Sequence, residues 1–92
     1  MKINHMPEKS CFEAVDDCGN SMGRITYYRD GDVLEANHTW TDTAYRGRGV
    51  AGRLLDALVE YAAANNLKIR PVCSYVVAAF QKDPARYDGV AE

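Results

Sequence analysis

The stretch His38-Thr39-Trp40-Thr41-Asp42-Thr43-Ala44-Tyr45-Arg46-Gly47-Arg48-Gly49-Val50-Ala51-Gly52-Arg53-Leu54-Leu55-Asp56-Ala57-Leu58 changes character twice along its length. It reads as the end of a strand, then a Gly/Arg turn, then an amphipathic helix. Gly47 and Gly49 let the backbone take positive φ and approach a ligand with no Cβ in the way. The turn opens straight into the helix, whose first N–H groups lack intrahelical partners. Those donors and the positive end of the helix dipole favour an anion. Arg46 and Arg48 add two cations at the same place. The order strand, turn, helix predicts a phosphate site, above all for a pyrophosphate. The blander reading is that the glycines only let a strand bend into a helix.

Before this stretch the chain reads as antiparallel β-structure. Ile3 to Pro7 is expected to be a polar lead-in, with Pro7 keeping it out of a sheet centre. Ser10–Val15 alternates as a first strand with Phe12 and Ala14 on one face, and Asp16–Asn20 is a turn. Met22–Tyr28 is a second strand, rich in β-branched and aromatic residues, and Arg29–Asp32 carries an Asp-Gly hairpin signal. Val33–Thr41 is a third strand, and simple alternation places Leu34, Ala36, His38 and Trp40 on one face.

After the stretch, Ala51, Leu54, Leu55, Leu58 and Ala62 keep helical spacing, and Asn65-Asn66 is a helix stop. Leu67–Val72 is a short strand that leaves its ladder at Pro71, so strand, helix and strand form a right-handed parallel crossover. Ser74 is read as the cap of a second helix, about Tyr75–Lys82, ended by Asp83-Pro84; Ala85–Glu92 carries no assignment. The expected fold is one α+β domain over residues 1–92: a meander, a βαβ crossover and a C-terminal helix, with helices on one face. The thinly covered other face suits dimerisation or substrate contact, and a monomer or weak dimer is expected.

Bulk properties narrow the function. Eleven basic and thirteen acidic side chains give a net charge of −2, which argues against wholesale binding of nucleic acid. Any anion must be held locally. No apolar run is long enough for a membrane span and the first residues do not read as a signal peptide, so a cytoplasmic protein is expected. Cys11, Cys18 and Cys73 are odd in number and lack zinc-ligand spacing, which suits reduced thiols and no metal.

Gly47-x-Gly49-x-x-Gly52 formally matches a dinucleotide fingerprint, but a meander precedes it and no acidic residue ends the next strand. A triphosphatase loop is weaker still, because no Lys-Ser or Lys-Thr follows the glycines. Arg46-Gly47-Arg48-Gly49-Val50-Ala51 resembles instead the Arg/Gln-x-x-Gly-x-Gly/Ala motif of the GNAT N-acetyltransferases. His38-Thr39 is similar to the His-Thr pair of the smallest GNAT-like proteins, and Pro71–Val76 to their Pro-x-Cys-x-Tyr/Phe-Val segment. The resemblance runs from about Phe12 to Tyr87. One departure is Trp40-Thr41-Asp42, where such proteins usually carry a proline; the Asp42 carboxylate helps an anion site only by pointing away or pairing with an arginine.

The resemblance implies a GNAT-like fold that binds acetyl-coenzyme A. Its pyrophosphate would sit on amides of about Arg48 to Ala51, beside Arg46 and Gly47. Its pantetheine arm would slip between two splayed strands, along Thr39, Trp40 and Thr41, and its thioester would lie near His38 and Cys73. An imidazole takes up a proton near neutral pH, so His38 is a base candidate. Cys73 could accept the acetyl group, protonate the leaving thiolate, or merely pack; the residue types leave all three open. Tyr75 is a weaker proton donor, and Trp40 and Tyr45 could flank the coenzyme. The expected activity is acetyl transfer from acetyl-CoA to an amine of a small molecule or protein. The alternative is a coenzyme A-binding module with little or no transferase activity.

Overall fold

The structure, a computed structural model, describes residues 1–92. Five strands form one sheet in sequence order: β1 (Lys2–Met6), β2 (Cys11–Val15), β3 (Ser21–Asp30), β4 (Val33–Thr41) and β5 (Lys68–Pro71). The first four run antiparallel, and β4 and β5 run parallel. Helix α1 (Val50–Ala64) makes the crossover between β4 and β5; α2 (Ser74–Lys82) and α3 (Pro84–Tyr87) follow. The fold is the expected α+β arrangement, with one strand more in the meander. No helix is long and apolar enough to cross a membrane.

The added strand is the stretch read as a lead-in. Pro7 does not exclude it, because Pro7 falls just past its end, in a short 3-10 turn at Pro7–Lys9. Edge position suits a short polar strand. Its inward residues are Ile3 and His5, opposite Ala14 and Phe12. The His5 ring stacks on Phe12 at 4.2 Å between centroids and meets Tyr61 of α1 edge-on at 4.5 Å. A histidine doing an apolar residue's work is invisible to a hydropathy pattern. The unassigned C-terminus is ordered too. Ile69 N–H donates to the Val90 carbonyl at 2.6 Å and the Ile69 carbonyl accepts from Glu92 N–H at 3.0 Å, covering the free edge of β5.

Helix α1 buries Val50, Leu54, Leu55, Leu58 and Ala62, the stripe its spacing predicts. Each large side chain so buried contributes about 1.5–3 kcal/mol. It stops at Asn65 and Asn66, the latter at φ 55, where asparagine costs little. These residues share one core with Phe12, Ile25, Leu34, Ile69, Val76 and Phe80, so the helices lie on one face of the sheet. The opposite face is polar. There Arg24 pairs with Glu13 at 3.0 Å, and Arg70 bonds Glu92 through two nitrogens at 2.7 and 2.8 Å. Helix α2 starts one residue earlier than expected. Its N-cap is Cys73 rather than Ser74, with no side-chain cap bond.

Burial holds the His5 imidazole below its ordinary pKa against a smaller opposing effect of Glu8. Protonation therefore favours the unfolded chain. Its stability contribution is complete above the unfolded pKa, about 6.5, and declines as pH falls through the lower folded value. Urea midpoints measured between pH 7.5 and 5.5 should fall for the wild type and change less for His5→Gln; equal slopes would contradict this assignment.

Candidate active site

The site begins where β4 and β5 part. They pair only from Val33↔Lys68 to Ala36↔Pro71. Pro71 ends the ladder, having no N–H to continue it. The N–H groups of Val72 and Cys73 both turn back onto the Ala36 carbonyl, at 3.1 and 2.9 Å. Beyond Ala36, residues Asn37–Thr41 keep β3 on one side and have no strand on the other. This open edge leads toward the start of α1.

A β-bulge sits at the same point. Thr26 opposes His38 while Tyr27 opposes Ala36, so Asn37 is the extra residue. Its side-chain oxygen accepts from the Thr26 hydroxyl at 2.6 Å. The bulge corrects the expected faces of this strand. Leu34 and Ala36 are buried under the helices, whereas His38 and Trp40 oppose Thr26 and Arg24 on the polar outer face. One inserted residue reverses every side chain beyond it, since strand side chains alternate with period two. Thr39, opposite buried Ile25, turns to the helix side instead.

Cys73 therefore meets Thr39 and not His38: Sγ lies 3.2 Å from Thr39 Oγ1. His38 and Cys73, both expected near the thioester, lie on opposite faces of the sheet. Trp40, 42% exposed, presents its indole on the outer face, although its backbone runs along the open edge.

At the far end of that edge lies a groove of about 360 Å³, bounded by Thr41, Tyr45, Arg46, Gly47, Gly49–Gly52 and Tyr75. Gly47 and Gly49 have φ of 81 and 73, and Gly49 is the N-cap of α1. A Cβ added at either would meet nothing within 4 Å, so the space above both is open. Arg53 N–H bonds the Gly49 carbonyl at 3.0 Å and begins the helical ladder, which leaves the amides of Val50, Ala51 and Gly52 free at the groove. Arg46 and Arg48 have no carboxylate within salt-bridge distance, whereas Arg24, Arg70 and Arg86 are paired. Asp42 does not oppose them: its carboxylate accepts from Ala44 N–H at 2.9 Å and caps the Thr43–Tyr45 turn. Tyr75 packs near α1, and this burial raises its hydroxyl pKa.

A larger hollow of about 570 Å³ lies between β1, β2 and α1, lined by Ile3, His5, Phe12, Arg53 and the carboxylates of Asp56 and Glu60. It has no free helix amides, and Asp56 is already paired with Arg86 at 2.7 Å. The smaller groove, with free helix amides and no carboxylate in its lining, suits an anion better.

The family model described as GCN5-related N-acetyl-transferase matches residues 11–90. The chain belongs to this family. Among relatives, the mouse Protein NATD1 is 24% identical over 85 residues, covering 91% of this chain and 77% of that protein; the human protein is also 24% identical and covered to 75%. A solution structure of a GCN5-like protein from Staphylococcus aureus has a TM-score of 0.72 at 31% identity, covering 99% of this chain and 87% of that one. A ribosomal-protein-alanine N-acetyltransferase from Brucella melitensis shares the fold, with a TM-score of 0.63 at 22% identity over 89% of this chain and 59% of its own. GNAT-family proteins generally use acetyl-CoA.

Two features of the site escaped the sequence pattern. The contact of the Thr39 side chain with Cys73 needed the bulge. Gly23 needed the packing: a Cβ there would lie 2.6 Å from the Trp40 carbonyl oxygen and 3.0 Å from Val50 Cγ1. The missing side chain lets the first turn of α1 seat against β3 and β4. Gly23→Ala should destabilise the fold by about 1–3 kcal/mol through overpacking, measured by urea unfolding. An unchanged midpoint would show that the helix start has room to shift.

Proposed function

We propose that this GNAT-family chain is an acetyl-CoA-dependent N-acetyltransferase acting on an amine of a small molecule or protein. The open edge of β4, running from Cys73 to the free amides of α1, carries this reading. The residues fit the coenzyme. Amides of Val50 and Ala51 with Arg46 and Arg48 would hold its pyrophosphate, Gly47 and Gly49 leaving the approach clear. Backbone groups of Thr39, Trp40 and Thr41 would pair with its pantetheine arm. Bound there, the coenzyme supplies an acetyl group activated as a thioester.

The bulge supports a division of labour between the two faces. His38, on the outer face, would take a proton from the attacking amine. Cys73, on the helix face beside Thr39, would return a proton to the departing thiolate through Sγ, with Tyr75 as a second donor farther along the groove. Cys73 has no imidazole at hydrogen-bond distance to activate it as a nucleophile. This favours direct transfer over an acetylated enzyme.

Calorimetric titration should give saturable heat with acetyl-CoA. Gly49→Val should abolish it, and Arg48→Ala should weaken binding about five- to tenfold through loss of a charge-assisted contact. No heat for the wild type at millimolar ligand would refute the reading. Released thiol, followed over a panel of amines, tests the reaction itself; binding without turnover on any amine would leave a coenzyme A-binding module.

Cys73→Ala should lower kcat by about 10²-fold or less, and mass spectrometry should find no acetylated protein during turnover. An adduct on Cys73 that an amine discharges would overturn direct transfer.

A further inference from the structure

We infer that Asp16 and Tyr45 are positioning residues for the anion groove: a tether from the β2–β3 turn that holds one wall and aims Arg48. This rests on the coenzyme-binding reading above. The Tyr45 hydroxyl donates to Asp16 Oδ2 at 2.5 Å, joining residues 29 positions apart. Tyr45 forms a wall of the groove, and the Arg48 guanidinium carbon stands 5.5 Å from its ring centroid, a cation–π distance. The Tyr45 ring also packs against the core, and Asp42 N–H bonds the Met22 carbonyl at 2.9 Å, but the bond to Asp16 is the turn's side-chain hydrogen bond to the rest of the fold. The Asp42 cap bonds only within its own turn, and neither Arg46 nor Arg48 has a carboxylate partner.

Asp16 is itself fixed before it acts. Its Oδ1 accepts from the amides of Cys18 and Asn20, each at 2.9 Å, and its Oδ2 accepts from Asn20 Nδ2 at 3.3 Å. These bonds and the one from Tyr45 hold its carboxyl down to about 2, so it is ionised across the physiological range. Oδ1 holds only the turn, whereas Oδ2 takes the Tyr45 hydroxyl at short range and the Asn20 amide at the longer distance.

A carboxylate close to an anion site is a liability unless it does something specific. That makes the sign of one substitution decisive. Asp16→Asn keeps an oxygen for the turn amides and puts an NH2 group, which cannot accept, where Tyr45 donates. If Asp16 were only a nearby charge, neutralising it would tighten binding of a polyanion. If it is the tether, Asp16→Asn loosens the groove and weakens binding.

The experiment is calorimetry of wild type, Asp16→Asn, Tyr45→Phe and the double variant with coenzyme A, and with pantetheine as the ligand lacking the pyrophosphate. We expect each single variant to weaken coenzyme A about threefold to tenfold, the double variant to lose no more than either single, and pantetheine binding to stay unchanged. Tighter or unaltered coenzyme A binding by Asp16→Asn, additive losses in the double variant, or an equal loss for pantetheine would overturn the tether. Hydrogen exchange on the free proteins separates this from the functional reading. Amides of Thr43–Gly49 should exchange faster in both single variants even if no coenzyme A binds the wild type, and unchanged exchange would overturn the inference by itself.

Discussion

The site depends on a refusal of two parallel strands to stay paired. Four residues of β4 meet four of β5, and there the ladder stops. Three local facts enforce this. Pro71 lacks the N–H a further rung needs, Asn37 bulges on β4, and the Ala36 carbonyl is already shared by Val72 and Cys73. An unpaired strand edge inside a small domain would ordinarily invite aggregation. Here it opens between helices and ends on a cluster of free amides, an environment suited to a polar, extended ligand.

Helix α1 serves two ends at once. Its buried stripe is the main support of the sheet, and its first turn presents the anion donors. These roles are coupled through close approach. Glycine at position 23 allows Val50 to seat against the strands, and that seating sets where the amides of Val50, Ala51 and Gly52 stand. Stability and ligand geometry are therefore not separable at this helix end.

The bulge at Asn37 also divides the chemistry. The imidazole of His38 stands on the polar outer face, and the thiol of Cys73 stands beside Thr39 on the helix face. A thioester lying between the strands would be reachable from both sides. On the proposed reading, proton acceptor and proton donor work on opposite faces without neutralising each other. The polar outer face, free of helices, leaves the side of His38 and Trp40 exposed.

The linear chain was sufficient for the features that local chemistry decides. The Gly47–Gly49 turn, the α1 stripe, the asparagine stop and the end of β5 at Pro71 are all dictated by backbone freedom and by side-chain spacing within a few residues. They were legible because glycine, asparagine and proline restrict or release φ wherever they occur. Three features needed the tertiary structure. His5 takes an apolar residue's place in β1 because Phe12 and Tyr61 pack its ring and the Tyr27 hydroxyl stands 2.6 Å from its Nε2, which hydropathy cannot register. Thr39 replaces His38 beside Cys73 because a bulge has no reliable sequence mark and inverts all that follows. Asp16 reaches Tyr45 across 29 residues, a contact made by strand register and loop path rather than by any pattern in the chain. Local propensity determined the bounds of α1 and the end of β5; which side chains meet at the site was decided by how the sheet is registered and packed.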